Sequence, residues 1–207
     1  MRYFVWLILV LSLTLLAACS GSVVQERQAT SNPQRTQSAQ GQEQTKQIKQ
    51  LSDFELQMLD PEGKLKPLKL SQTLGQGKVV VIDFWATWCG PCRQSIPDLV
   101  ALHNEYNNKG VEIYGLSVED PDEVNRLDPS KKNQQAVVNM SKDYKMNYRV
   151  GFATQSMFAA FDQRGMGSIP QTFIFGKDGN LVKHLVGFNP NAAPRMIRDS
   201  IDKALNS

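Results

Sequence analysis

Cysteine and histidine are scarce in this chain, whose 207 residues include 3 cysteines and 2 histidines. A structural zinc site needs four ligands, and beyond Cys89 and Cys92 the sequence offers only Cys19, His103 and His184, without ligand spacing. We therefore predict no metal site and no cofactor. Charge is also nearly balanced, with 23 Lys and Arg against 20 Asp and Glu. Because no basic stripe with interleaved aromatic residues occurs, we expect no nucleic-acid partner.

Long apolar runs are absent beyond the first residues. The run from Tyr3 to Leu16 follows a basic start and ends in small residues, a pattern typical of a secretory signal peptide rather than a spanning helix. Leu16-Ala17-Ala18-Cys19 is similar to the bacterial lipobox, which implies that residues 1–18 are removed and Cys19 is lipidated. The alternative is an uncleaved anchor with Cys19 as a bystander. Either arrangement predicts an extracytoplasmic, membrane-attached protein, on the periplasmic side where the cell has two membranes. Ser20, rather than Asp, then favours the outer membrane.

Residues 19–50 are rich in Gln, Ser, Thr, Asn and Gly and contain no aromatic residue. Such a segment cannot bury enough apolar surface to offset the entropy of ordering, so we predict a flexible, lipidated tether. Residues 51–207 have the length and composition of one domain with a single core.

Strands alternate with helices along the domain and a hairpin follows, which predicts an α/β sandwich around a mixed sheet. The helix that begins near Asn133 is expected to turn four residues towards the core: Ala136, Val137, Met140 and Tyr144. The predicted strands are Phe54–Leu59, Leu65–Leu70, Val79–Trp85, Val111–Val118, Tyr148–Phe152, Thr172–Phe175 and Leu181–Val186, and the predicted helices are Arg93–Asn107, Asn133–Lys145, Met157–Phe161 and Ala192–Leu205.

Two cysteines lie where a buried strand turns into a helix. At a helix start, free backbone N–H groups and the positive end of the helix dipole favour an anion. We therefore expect the pKa of the Cys89 thiol to be lowered and its reactivity raised. Gly90 leaves the approach to Cys89 open, and Pro91 suits the first helical turn. This arrangement favours thiol–disulfide exchange in which Cys89 attacks and Cys92 resolves.

The string from Val80 to Cys92, with Pro97 beyond it, resembles thioredoxin, and residues 166–173 resemble the cis-proline loop of that fold. The N-terminal hairpin and the segment between Glu119 and Phe152 are similar to the extracytoplasmic TlpA-like branch, which includes cytochrome c maturation reductases. The match covers about residues 54–205. It implies an α/β, thioredoxin-like three-layer sandwich with an N-terminal β-hairpin and a helix–strand insertion.

The resemblance also implies roles for individual residues. Ile169–Pro170 is expected to be a cis peptide beside the cysteines, with the Ile169 backbone pairing to an extended substrate segment. A trans proline that starts a strand is the alternative. Asp83 corresponds to the buried acid beneath the cysteines. Burial raises the pKa of such a carboxyl, which makes Asp83 a candidate base for Cys92, although a purely hydrogen-bonded role is the alternative. Trp88, together with Gly90 and Pro91, is expected to contact substrate.

The sequence departs from the pattern at two positions. The strand from Val111 to Val118 carries no lysine to neighbour Asp83, and Ser95 stands where some cytochrome-maturation relatives have glutamate.

The resulting hypothesis is that the protein is a tethered thiol–disulfide oxidoreductase, which reduces the disulfides of exported proteins through Cys89 and Cys92. Its expected partners are disulfide-containing exported proteins, a membrane electron donor, and the membrane itself through lipid on Cys19. One alternative is a thiol peroxidase, although Ile82 and Ala86 replace the proline and threonine of the peroxidase pattern. The other is a non-catalytic copper or metal chaperone that binds a soft ion through its two thiolates.

Overall fold

A computed structural model describes residues 54–162 and 167–207. The predicted signal peptide, the tether, Cys19 and the first residues of the predicted domain lie outside this part of the chain. Within the described ranges, no helix combines the length and apolarity needed to cross a bilayer.

The described residues contain seven strands and four α-helices. The strands form one sheet in the order β2-β1-β5-β4-β3-β6-β7. Strands β3, β4 and β5 run parallel, while the hairpins at both edges are antiparallel. The strands are β1 (Glu55–Leu59), β2 (Leu65–Lys69), β3 (Val79–Trp85), β4 (Val111–Ser117), β5 (Arg149–Phe152), β6 (Gln171–Phe175) and β7 (Leu181–Val186), and the helices are α1 (Gly90–Tyr106), α2 (Asn133–Asp143), α3 (Gln155–Phe161) and α4 (Ala193–Leu205).

Strand β3, which lies in the interior of the sheet between β4 and β6, is buried along its whole length, because helices cover both faces of the sheet. Alternate residues of a strand point to opposite faces. Val81 and Trp85 therefore join the core beneath α1, α2 and α4, whereas Ile82 and Phe84 join the core beneath α3. These two cores on either side of one sheet confirm the predicted three-layer sandwich.

The element bounds differ from the prediction by more than one residue at three helices. Helix α3 begins at Gln155 rather than Met157, since the Thr154 side chain caps its N-terminus. Helix α1 begins at Gly90 rather than near Arg93, since the Cys89 side chain caps its N-terminus. Helix α2 ends at Asp143, before the predicted Lys145. The prediction of an inward-facing Tyr144 was wrong: its side chain is 37% exposed, because the helical spacing no longer applies once α2 has ended. Val137 is buried as expected.

Candidate active site

The candidate site lies at the carboxyl end of β3, where the chain enters α1. Cys89 is the N-cap residue of α1, and the backbone N–H of Cys92 points at Cys89 Sγ from 3.2 Å. Pro91 occupies the first turn, where its missing N–H leaves no hydrogen bond unmade. A thiolate on Cys89 would therefore accept a hydrogen bond at the positive end of the helix dipole.

The two cysteines form a disulfide. Cys92 is fully buried and Cys89 is 4% exposed, so solvent reaches the pair only at Cys89. Pro91 is exposed, Gly90 is half-buried, and Trp88 is 37% exposed. The cysteine that the sequence predicts to attack is thus the less buried of the two, and it is bordered by the three residues predicted to contact substrate.

The loop before β6 meets the disulfide from the opposite side. Its Ile169–Pro170 peptide bond is cis, the geometry that the family resemblance implies. The Ile169 carbonyl oxygen lies 3.7 Å from Cys89 Sγ. This places the Ile169 backbone carbonyl beside the reactive sulfur, where an extended substrate could pair with it.

Asp83 is 2% exposed and lies on β3 between Val81 and Trp85, on the face of the sheet whose core includes both cysteines. Thr172, its register partner on β6, donates a hydrogen bond to Asp83 Oδ1 at 2.7 Å. Burial raises the pKa of the Asp83 carboxyl to about 7, since the Thr172 hydroxyl offsets only part of the desolvation. A carboxyl with this pKa can take up or release a proton near neutral pH.

Tyr148 accounts for the missing lysine near Asp83. The register partner of Asp83 on β4 is Gly115, and a Cβ at Gly115 would lie 2.8 Å from the Tyr148 ring and 3.4 Å from Trp85 Nε1. Tyr148 is itself 7% exposed. The aromatic ring thus fills the space above the glycine, and the position next to Asp83 holds no side chain that could supply a positive charge.

A buried polar cluster that the sequence analysis missed anchors the active-site loop. Glu119 Oε2 accepts a hydrogen bond from the Thr87 backbone N–H at 2.8 Å, and Oε1 accepts one from the Thr87 hydroxyl at 2.7 Å. Ser117 Oγ donates to the same carboxylate at 3.0 Å, and Asn125 Nδ2 donates to Thr87 Oγ1 at 2.9 Å. The signal for this cluster was Ser117-x-Glu119 at the end of a buried strand, beside the end of β3.

Arg126, on the loop that follows Glu119, also lies at the site. Its guanidinium carbon is 5.2 Å from the centroid of the Trp88 ring. Nothing in the sequence pattern pointed to this contact, since Arg126 and Trp88 lie far apart in the chain.

The structure therefore brings Cys89, Cys92, Asp83 and the Ile169–Pro170 loop together with Trp88. Cys19, the predicted lipidation site, lies outside the described residues. In the part of the chain that the structure places, no three His, Cys, Asp or Glu side chains form a cluster that could hold a metal ion.

Comparisons with known proteins agree with this geometry. A profile of the AhpC/TSA family matches residues 48–184. The chain is 33% identical over 132 residues to a thiol-disulfide oxidoreductase ResA of Bacillus thuringiensis, an alignment that covers 62% of this chain and 64% of that relative. A ResA of Bacillus cereus is 34% identical over 131 residues with the same coverage. The chain thus spans slightly less than two thirds of the length of these curated relatives.

Solved structures show the same fold. A thiol:disulfide interchange protein of Chlorobium tepidum superimposes with a TM-score of 0.57 at 25% identity, covering 73% of this chain and 92% of that one. A secreted thiol-disulfide isomerase of Corynebacterium glutamicum gives a TM-score of 0.60 at 18% identity, covering 75% and 84%. The second likeness shows the fold alone.

Proposed function

Because the chain belongs to the AhpC/TSA family, in its thioredoxin-like, TlpA-like branch, we propose that it is a thiol–disulfide oxidoreductase that uses the Cys89/Cys92 pair. One observation supports this most strongly: a disulfide at a helix N-terminus has its outer sulfur 3.7 Å from the Ile169 carbonyl. That arrangement offers a nucleophile and a strand-pairing surface in the same place.

The exchange proceeds in two steps. The Cys89 thiolate attacks one sulfur of a client disulfide, forming a mixed disulfide and releasing a client thiolate. Cys92 then loses its proton and attacks Cys89 Sγ, which releases the second client thiolate and forms the Cys89–Cys92 disulfide. The client gains two electrons and the protein loses two, so an external dithiol or electron carrier must reduce the pair again.

Asp83 acts as the base in the second step, the attack of Cys92 on Cys89 Sγ. Its carboxylate lies beneath the pair and, with a pKa of about 7, accepts the Cys92 proton near neutral pH. Burial keeps the Cys92 thiol protonated until the mixed disulfide forms, because an uncompensated buried thiolate is costly. A base next to the thiol then removes the proton when Cys92 attacks.

We further propose that the reaction runs in the reducing direction. The Gly90-Pro91 dipeptide is thioredoxin-like, and thioredoxin's couple lies near −270 mV whereas strong oxidants of this fold lie near −120 mV. Clients are then exported proteins whose disulfides need to be reduced, including those of cytochrome c maturation, and electrons come from a membrane donor.

The N-terminal sequence supports an extracytoplasmic location with a lipid anchor at Cys19 and residues 19–50 as tether. Cys19→Ala in the producing cell should abolish incorporation of labelled fatty acid into the protein. If the Cys19→Ala protein still incorporated the label, the lipid anchor at Cys19 would be contradicted. The proposed dithiol chemistry does not depend on that outcome.

Reduction of insulin disulfides by the purified protein, with dithiothreitol as electron source, tests the proposed activity. We expect turnover that is lost in Cys89→Ser. Equilibration with glutathione and dithiothreitol buffers then gives the potential: a value near about −270 mV supports a reductant, and one near about −120 mV contradicts it. If insulin stays oxidised while the purified protein carries bound copper, the metal-chaperone alternative holds instead.

Thiol peroxidase activity is the second candidate, and the AhpC/TSA profile is the observation that favours it. Hydrogen peroxide consumption with dithiothreitol as reductant decides between the two. We expect none beyond the uncatalysed rate, because Ile82 and Ala86 stand where the peroxidase pattern has proline and threonine.

A further inference from the structure

Residues 120–132 form a loop that borders the active site, and this loop is fixed from within by Asn125. The Asn125 side chain is 2% exposed. Its Oδ1 accepts hydrogen bonds from the backbone N–H groups of Leu127 and Asp128 at 3.0 and 2.9 Å, and its Nδ2 donates to Asn133 Oδ1 at 3.1 Å. Together with the Asn125–Thr87 hydrogen bond, these contacts tie the loop to the segment that leads into Cys89. The loop is therefore preorganised, and binding to it costs little ordering entropy.

The neighbours of Asn125 in the chain point outwards. Val124 is 62% exposed and Leu127 is 57% exposed, beside Trp88 at 37%. Arg126 stands between the two aliphatic residues with its guanidinium over the Trp88 ring. We call these four residues, Trp88, Val124, Arg126 and Leu127, the rim.

The charges around the rim leave Arg126 without a carboxylate partner among the described residues. Two acids of the same loop already have lysine partners: Asp128 pairs with Lys131, and Asp122 with Lys132. Within residues 54–162 and 167–207 Arg126 takes part in no ion pair, and its guanidinium lies over the face of Trp88. A guanidinium held on an aromatic ring keeps its outer N–H donors free for a carboxylate.

We propose that the rim selects clients that carry a carboxylate and an apolar side chain next to their disulfide. Arg126 binds the carboxylate, while Val124 and Leu127 receive the apolar side chain. This inference rests on the proposed function, since it names the kind of disulfide that Cys89 attacks. Charge complementarity is the argument for this occupant: Arg126, an exposed cation that forms no ion pair among the described residues, lies over the ring of Trp88, the residue that precedes Cys89.

Three peptides of equal length test the proposal. Each peptide contains one disulfide. One cysteine of this disulfide has Leu as one neighbour in the chain and Asp, Ala or Lys as the other. We measure kcat/KM for their reduction by the full-length protein at low ionic strength. We expect the Asp peptide to be reduced about fivefold faster than the Lys peptide, a ratio that corresponds to about 1 kcal/mol. Added salt should shrink the ratio.

Variants assign the preference to Arg126. Arg126→Gln should bring the Asp-to-Lys ratio close to one, and Arg126→Glu should invert it. The matched control is Lys109→Gln, which removes the same charge from a cation that also lies on an aromatic ring, 4.7 Å from the Tyr106 centroid. Lys109 precedes β4 and so lies at the end of the sheet away from Cys89, and its loss should leave the ratio unchanged.

Failure of the proposed function and failure of the proposed selection by Arg126 give different results. If no peptide is reduced, the proposed function is wrong. If all three peptides are reduced at equal rates, or if Arg126→Gln slows all three alike with the ratio preserved, the activity stands and the selection by Arg126 is overturned.

Discussion

Thr172 donates a 2.7 Å hydrogen bond to Asp83 across the β3–β6 pair, so a neutral hydroxyl is the partner of a carboxyl buried beneath the disulfide. A hydroxyl compensates the charged form of a carboxyl far less than a cation does. The raised pKa of Asp83 follows from this pairing, and it has consequences for both stability and catalysis.

Asp83 should make the protein less stable as pH rises. Its pKa is about 7 in the folded protein against an ordinary value of 3.8, so the protonated form is favoured by folding. The associated stability is complete below about pH 4 and is lost as pH rises through about 7, by up to about 4 kcal/mol. Asp83→Asn removes this dependence. In urea unfolding of the oxidised protein, the stability advantage of the variant should therefore grow between about pH 4 and about pH 8. An advantage that is constant with pH would mean that Asp83 ionises normally.

Asp83→Asn should also slow the resolution step. Initial attack by Cys89 needs no base at Asp83 and should stay near the wild-type rate. Resolution by Cys92 should fall by about a hundredfold, the low end of general-base effects. In the wild type its rate should rise with pH through about 7, as Asp83 becomes the carboxylate, and the variant should lack this rise. Stopped-flow separation of the two steps measures both. Equal resolution rates in variant and wild type would leave Asp83 a structural residue.

Gly115→Ala should destabilise the domain by about 1–3 kcal/mol. The added Cβ would meet the Tyr148 ring at 2.8 Å in a packed region that includes Trp85. Gly90→Ala is the matched control for stability, because a Cβ there meets nothing within 4 Å. Urea unfolding at one pH compares the two, and equal stabilities would show that Tyr148 can move away.

Glu119→Gln should destabilise the protein by about 1–3 kcal/mol. The carboxylate accepts hydrogen bonds at both oxygens, from Thr87 and Ser117, and an amide presents an N–H₂ group to one set of these donors. The exposed Glu123→Gln removes the same charge from the neighbouring loop and should change stability by less than about 0.5 kcal/mol. If the two variants behave alike, the buried cluster does not hold the loop.

Local patterns predicted most of the fold. The apolar run of β3 and the helix that follows it were recognisable because burial on both faces leaves no polar residue on the strand except Asp83. The cysteines and the Ile169–Pro170 loop were identified because they are short motifs with a family resemblance. Prediction from the sequence succeeded where the informative residue pattern lies within a single segment of the chain.

The contacts that the sequence did not reveal join segments far apart in the chain. From the sequence, Glu119 was indistinguishable from an ordinary acidic loop residue, since its burial depends on Thr87, which lies on another segment. Tyr148 gave no sign that it fills the space above Gly115, and Arg126 gave none that it lies on Trp88. Such pairs depend on how strands are ordered in the sheet, and residue patterns within one segment do not carry that information.

Trapping of mixed disulfides tests the central claim most directly, namely that Cys89 attacks and Cys92 resolves. Cys92→Ser and Cys89→Ser variants are incubated with an oxidised client, and the adducts are mapped by mass spectrometry. We predict a stable client adduct on Cys89 in Cys92→Ser and none in Cys89→Ser, because Cys92 is fully buried whereas Cys89 lies at the surface end of the pair. An adduct on Cys92, or equal trapping by both variants, would contradict the assignment.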